Sequence, residues 1–272
     1  MRFITFTAGR PALVFALTLI CLSLLPTSPS LAAPGDDAAL TFYHQGIAAK
    51  TMGAREQAFE KALSLYLGQF NQMKENDSVN GLLCYNIGNC YFNLEQNAEA
   101  ILYYQMAKKL LPLNKNISAN LKTALAKREN PVDIESNSII ATLLFFHFKL
   151  SAAQQINFLI TTAILTALAL LWLMLKRNTL VKYLAIVSGL TVTSLCLSLA
   201  ASYFYPINMG ILMKTTDIRR GAGDGFAPIT PHPLGAGSSL KVLSLEKNWY
   251  TVELNDGKHG FLPKNNLRVI TI

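Results

Sequence analysis

The hydrophobic rhythm of the chain changes three times. From 36 to 128, apolar residues recur at helical spacing among polar ones, and after Pro112 the residues Ile117, Leu121 and Leu125 return every four positions as one stripe. Amphipathic helices are predicted there, with the 117–125 stripe as a capping helix. Two later stretches lose their polar face. Residues 156–175 are 20 residues without a charge, and 183–204 are similar. At about 1.5 Å per residue each spans a hydrocarbon core of about 30 Å, and neither suits the interior of a small soluble domain. From Gly210 the pattern turns to short β-favouring runs at 210–215, 240–245, 249–254 and 260–262, parted by turn signals such as Asn255-Asp256-Gly257. These predict a small β-barrel. At the start, Arg2 and Arg10 precede an apolar run at 12–25 and the small-residue segment Ser30-Leu31-Ala32-Ala33-Pro34, which reads as a secretory signal peptide over 1–32. Cleavage is expected after Ala32, because a cut after Ala33 would place Pro34 next to the scissile bond.

Within the helical region the most specific stretch is 82–112, LLCYNIGNCYFNLEQNAEAILYYQMAKKLLP. Small residues Gly88, Ala100 and Ala107 alternate with large ones, Ile87, Tyr91 and Tyr104, and Pro112 follows. These are the intervals of a tetratricopeptide (TPR) helix pair, with Cys84 where the repeat usually has Trp. Gly88 and Ala100 let two antiparallel backbones approach while the large residues fill the space around the contact. The polar run 95–97 is the turn, and Pro112 ends the second helix. Gly46 and Ala58 stand twelve apart, as Gly88 and Ala100 do, so an earlier degenerate repeat is expected. Its offset from the clear repeat is 42 residues instead of the usual 34, which assigns the excess to a longer helix plus a polar linker at 74–80. The array over 36–128 is short, about two and a half repeats, and solenoids bury their apolar faces only by stacking.

The remaining segments follow from composition. Residues 129–155 form a linker and an interfacial segment, the latter carrying Phe145, Phe146 and Phe148 beside His147 and Lys149. Lys176, Arg177 and Lys182 lie in the loop 176–182 between the spans, and the positive-inside rule places that loop in the cytoplasm. The segments before and after the spans then face the far side, which is also where a signal peptide sends the N-terminus. Ala185 and Gly189, and Ser194 and Ser198, are small residues four apart that can pack the spans together. A hydrophobic content of 51% and a mean hydropathy of +0.30 agree with membrane segments. The net charge of +8 is scattered rather than gathered on one face with aromatics, so nucleic acid is not an expected partner. Four cysteines are too few and too dispersed for a disulfide framework; Cys84 and Cys90 sit about 120° apart on one helix and read as packing residues.

No catalytic residue set is present. The histidines at 44, 147, 232 and 259 have no carboxylate or cysteine at metal-ligand spacing, so no metal and no cofactor are expected. The run Gly221-Ala222-Gly223-Asp224-Gly225 has no following helix and lysine, and reads as a loop of the barrel. Binding surfaces are the better candidates. By analogy with the repeat, Tyr85, Asn86, Asn89 and Phe92 face a concave groove with Asn120 nearby, where amides can serve an extended peptide backbone and aromatics add apolar contact. Asn86 and Asn120 can equally tie helix to helix.

The C-terminal order Asp217-Ile218-Arg219, a Gly/Pro-rich loop, Leu240-Lys241-Val242-Leu243, Trp249-Tyr250-Thr251-Val252 and Asp256-Gly257-Lys258-His259-Gly260-Phe261-Leu262 resembles a bacterial SH3 domain over 207–272. Phe261 stands where those domains usually have Trp. Trp249, Tyr250 and Phe261 are its candidate functional positions, with Trp249 expected in the core rather than on the rim. Signal peptide, TPR array, two spans and SH3-like module in this order resemble the BatE family of bacterial aerotolerance operons. The most specific residues are Tyr85-Asn86-Ile87-Gly88-Asn89-Cys90-Tyr91, then Ala100-Ile101-Leu102-Tyr103-Tyr104 and Asn120-Leu121. The resemblance implies partners among Bat-type membrane proteins with von Willebrand A domains, associated with a MoxR-type ATPase, and a role in oxidative or envelope stress. The expectation is therefore a multidomain membrane protein: an all-α TPR repeat, a transmembrane hairpin and a small all-β SH3-like barrel. It would act as a non-enzymatic adaptor in the bacterial inner membrane with both modules periplasmic. The alternative is a membrane protein that binds cell-wall peptidoglycan through the SH3-like module.

Overall fold

The structure, a computed structural model, describes residues 36–76, 78–129, 150–204, 208–254 and 256–270; the expected leader and the interfacial segment 139–149 lie outside the described residues. Among these, helices α1 (Asp36–Ala48), α2 (Met52–Glu75), α3 (Gly81–Asn93), α4 (Asn97–Leu110) and α5 (Lys115–Ala126) are followed by α6 (Ala152–Leu175) and α7 (Thr179–Phe204). Strands β1 (Met209–Leu212), β2 (Ser239–Glu246), β3 (Trp249–Glu253), β4 (His259–Pro263) and β5 (Leu267–Val269) complete the chain. They form two compact units. One contains α6 and α7; the other joins the described parts of Ser30–Asn137 and of Ile207–Ile272.

Helix starts follow from local chemistry. Thr51, Asn80 and Asn114 are N-caps whose side chains accept from the backbone N–H groups of Ala54, of Leu82 and of Asn116 and Ile117. The reversal between α3 and α4 is three residues, with Glu95 in the left-handed region at φ 61°. Gly88 is required by the approach of α4: a Cβ there would lie 2.6 Å from Cδ1 of Tyr104. In the first pair a Cβ on Gly46 would lie 2.9 Å from the Phe59 ring. Phe59 follows its glycine by 13 positions, whereas Tyr104 follows Gly88 by 16, so the same gap is plugged from one helical turn earlier. The extra length of the first repeat lies mostly in α2, which has 24 residues against 14 in α4. That helix extends through Lys74 and Glu75, which the sequence assigned to the linker. In α5, Ile117, Leu121 and Ala124 are buried while Leu125 is half-buried.

The C-terminal strands form one antiparallel sheet in the order β4-β3-β2-β1-β5. Its core holds Leu212, Ile218, Leu234, Leu240, Val242, Val252, Leu262 and Leu267. Strand β5 was not expected from the sequence; three residues are too few to show an alternation. This sheet is not separate from the helices. Ile211 and Ile270 are buried in the same apolar cluster as Tyr103, Tyr104 and Ile101, with Met209 and Met213 packed against it. Gly237, at φ +83°, sits so close to the helices that a Cβ would lie 2.7 Å from Cδ1 of Ile101, and its carbonyl accepts from Nη1 of Arg128 at 3.2 Å.

The two long apolar helices pair with each other. Gln155, Phe158 and Thr162 are buried on α6, and Ala185 and Leu195 on α7, while Ser198 Oγ donates to Gln155 Oε1 at 3.1 Å. Of the small residues predicted to pack here, Ala185 is buried and Ser198 is bonded, but a Cβ on Gly189 would meet nothing within 4 Å. Residues 179–182 are helical, so the connection is 176–178 and not the predicted 176–182. At the other end Ser151 and Gln154 form a reciprocal capping box, which starts α6 four residues before the predicted span. Ile160, Ile164, Leu168 and Leu171 point outward, leaving an apolar exterior on helices long enough to cross a membrane.

Because Ile211 lies in the helical core, replacing it should loosen helices and sheet together. Ile211→Ala is expected to cost about 2–5 kcal/mol. In a Trp172→Phe background, far-ultraviolet circular dichroism and Trp249 fluorescence should report coincident denaturation midpoints before and after the change. Two separated transitions would show that helices and sheet unfold independently.

Candidate functional site

Helix α3 carries no charged residue, and one of its faces presents amides and aromatics. Tyr85, Asn89, Phe92 and Asn93 follow at i, i+4, i+7 and i+8, so they form one stripe. With Tyr43 from α1, Tyr104 from α4, and Asn120 and Thr123 from α5, residues Asn89, Phe92 and Asn93 line a cavity of about 110 Å³.

Asn89 is the hub. Only 9% exposed, its Oδ1 accepts from Tyr104 Oη at 2.8 Å and from Asn120 Nδ2 at 2.9 Å. Asn120 Nδ2 also donates to Tyr85 Oη at 3.0 Å, and Asn93 Nδ2 donates to the backbone carbonyl of Asn89 at 2.8 Å. Three helices are tied through one amide. Of the positions expected in the groove, the structure brings Asn89, Phe92 and Asn120 together and attaches Tyr85 through its hydroxyl. Asn86 is half-buried and does not line the cavity, being one residue, or about 100°, off the stripe. Tyr43, Asn93, Tyr104 and Thr123 were missed. The helical stripe alone points to Asn93, four residues after Asn89; Tyr43 and Thr123 depend on how neighbouring helices rotate.

Two cations flank the cavity. Lys127 Nζ lies 4.1 Å from the centre of the Phe92 ring, and Arg55 Nη2 donates to Asn93 Oδ1 at 2.9 Å while stacking at 5.7 Å over Phe59.

On the sheet, Trp249 is half-exposed on the rim, contrary to the expected core position. Strand parity gives the reason. Val252 is buried and Tyr250 and Leu254 pack toward the same core, which places Trp249 and Thr251 on the opposite face. Phe261, paired with Thr251, shares that face and is half-buried. Trp249 borders a shallow cavity of about 230 Å³ with Asp224, Asn248, Pro263, Lys264 and Asn265. The glycine-rich loop beside it is organised by Arg219, whose Nη1 donates to the carbonyls of Asp224 and Phe226 at 2.7 and 2.8 Å. The remaining repeat positions, Gly88, Tyr91, Ala100 and Ala107, are buried, and Pro112 follows α4. Among the described residues no group of three His, Cys, Asp or Glu is placed to hold a metal.

Cys84 and Cys90 are buried free thiols on α3, and burial pushes both up to about 12. Burial also pushes Tyr103 up to about 12 and raises Tyr104. Each group stays neutral in the folded state above the pH at which it ionises when unfolded. Their stabilisation is therefore complete below about pH 9 and is lost as pH rises toward 12. A Cys84→Ala/Cys90→Ala variant, compared with the parent by denaturation at pH 8, 9.5 and 11, should lose less stability over this range. Each cysteine removed should flatten the slope by up to about 1.4 kcal/mol per pH unit. An equal slope would mean that the thiols ionise freely in the folded chain.

A scan against protein-family models, a search of curated proteins and a search of solved structures each gave no match to this chain.

Proposed function

We propose that this chain is a membrane-anchored adaptor that holds a segment of a partner protein in the groove of a short TPR-type array, with an SH3-like module fused to that array. The observation that carries the reading is the α3 stripe, an uncharged amide and aromatic surface whose hub, Asn89, keeps its Nδ2 group without a partner among the described residues. Such a surface offers hydrogen bonds and apolar contact to an extended peptide without a charge of its own.

The anchoring part of the proposal rests on α6 and α7 as a two-pass hairpin. Helices α1–α5 precede the hairpin and β1–β5 follow it, yet both contribute to one apolar cluster. Segments that share a core must lie on the same side of a bilayer, which favours an even number of crossings. Under the positive-inside rule, Lys176 and Arg177 in the connection favour a cytoplasmic turn, with the folded unit on the other side. Inner-membrane placement and Bat-type partners with von Willebrand A domains are the context that the BatE resemblance supplies. Confinement to one membrane face raises the effective concentration of the groove for membrane-bound partners.

A second reading draws on the Trp249 cleft, where an indole face lies beside Asn248, Asn265 and Lys264. Aromatic faces and amides suit a sugar ring, so wall glycan is the competing ligand. In-cell crosslinking of the tagged full-length chain, followed by detergent extraction and mass spectrometry, separates the two. The adaptor reading expects membrane proteins that are lost with Asn89→Ala and retained with Trp249→Ala; wall fragments lost with Trp249→Ala alone would replace it. The same preparation tests topology. A cysteine placed at Arg177 should react with a membrane-impermeant maleimide only after the inner face is opened, and one placed at Lys258 should react from outside.

A further inference from the structure

We infer that the segment held in the α3 groove presents a carboxylate, so that the partner is recognised through an acidic side chain or through its own C-terminus. The inference rests on the groove reading above and adds the chemistry of the ligand.

The argument is an inventory of donors and acceptors. Asn89 Oδ1 already accepts two hydrogen bonds, from Tyr104 and Asn120, and Asn93 Oδ1 accepts from Arg55. Asn120 Nδ2 uses its hydrogens on Tyr85 and Asn89. The uncommitted groups in and beside the cavity are mostly donors: Asn89 Nδ2 inside it, and the remaining N–H groups of Arg55 and the ammonium of Lys127, which contact the lining residues Asn93 and Phe92, against one uncommitted amide acceptor, Asn120 Oδ1. A ligand group that only accepts fits that balance, and an ionised carboxylate is the acceptor-only group of proteins.

Charge points the same way. No carboxylate lines the cavity, and neither Arg55 nor Lys127 has an ion-pair partner among the described residues. Both side chains are exposed and rest on aromatic rings, Phe59 and Phe92, of which the second lines the cavity. Arg55 stands at the start of α2 and Lys127 just past the end of α5, and they contact the adjacent lining residues Asn93 and Phe92. Helix α5 also carries Lys115 and Lys122, neither of which lines the cavity, and no acidic residue occurs between Lys115 and Arg128. A carboxylate entering beside Arg55 and Lys127 would exchange weak cation–π contacts for charge-assisted hydrogen bonds, which are about twice as strong as neutral ones.

The test uses the full-length chain in detergent micelles and an immobilised library of random dodecapeptides in two formats, with a free C-terminus and with an amidated one. Retained peptides should be enriched in Asp and Glu in both formats if side chains supply the group, or confined to the free-terminus format if the chain end does. Affinity for the retained peptides should fall about tenfold for each of Arg55→Gln and Lys127→Gln, and should weaken with added salt. Both positions are exposed, so these variants should keep the parent denaturation midpoint. Peptides retained with no acidic enrichment, no dependence on the free terminus and no response to either variant would overturn the carboxylate while leaving the groove in place. Retention unaffected by Thr123→Tyr, which fills the exposed mouth, or no retention at all, would overturn the groove and the carboxylate together.

Discussion

The constraint on which the rest of this molecule depends is the burial of Ile211 and Ile270 in a core made otherwise by helices. Residues from strands after the membrane-type hairpin and from helices before it remove the same apolar surface from water, and neither part covers that surface alone. A sheet cut away at residue 207 would expose these isoleucines, and the helices would lose the neighbour that closes one side of α4. A short helical array usually needs further repeats to bury its end faces. Here a sheet performs that service.

The sheet returns to the helices from far along the sequence, and closing a flexible loop of about 80 residues costs about 4 kcal/mol of chain entropy. The hairpin reduces that cost. Because α6 and α7 pair along their length, with Ser198 bonded to Gln155, the chain leaves the hairpin close to where it entered. The pairing is apolar along most of its stripe and polar at Gln155, Thr162 and Ser198, where in hydrocarbon each polar group must find a partner inside the protein.

Much of this was legible from the sequence because it depends on spacing along one element. Gly88 and Tyr104 announced a close helix pair, uncharged runs announced α6 and α7, and β-favouring runs between turn signals announced β1–β4. What could not be read depends on contacts between elements distant in the chain. Nothing local to Ile211 says whether it packs in its own sheet or on α4, since both sites reward the same residue type. Asn86 was misplaced by one position on a helix, a rotation of about 100° that composition does not resolve. Trp249 was assigned to the core on residue type, although its parity with Val252 already placed it on the other face. In both cases periodicity was the better guide than chemical character.

Under the groove proposal, the Asn89 network joins two roles that looked like alternatives. Asn120 does tie helix to helix, through Asn89 and Tyr85, and in doing so it fixes which end of the Asn89 amide faces the cavity. With Oδ1 held by two donors, the amide cannot turn over without breaking its bonds to Tyr104 and Asn120, so Nδ2 is the end left uncommitted. The structural bonds thus orient the group that the groove proposal assigns to the ligand. A ligand that accepts from Nδ2 would bear on α3, α4 and α5 at once, because their relative positions are set through that residue. Occupancy would then stabilise the helices and the sheet docked on them as one unit, by an amount that grows with the logarithm of ligand concentration over its dissociation constant.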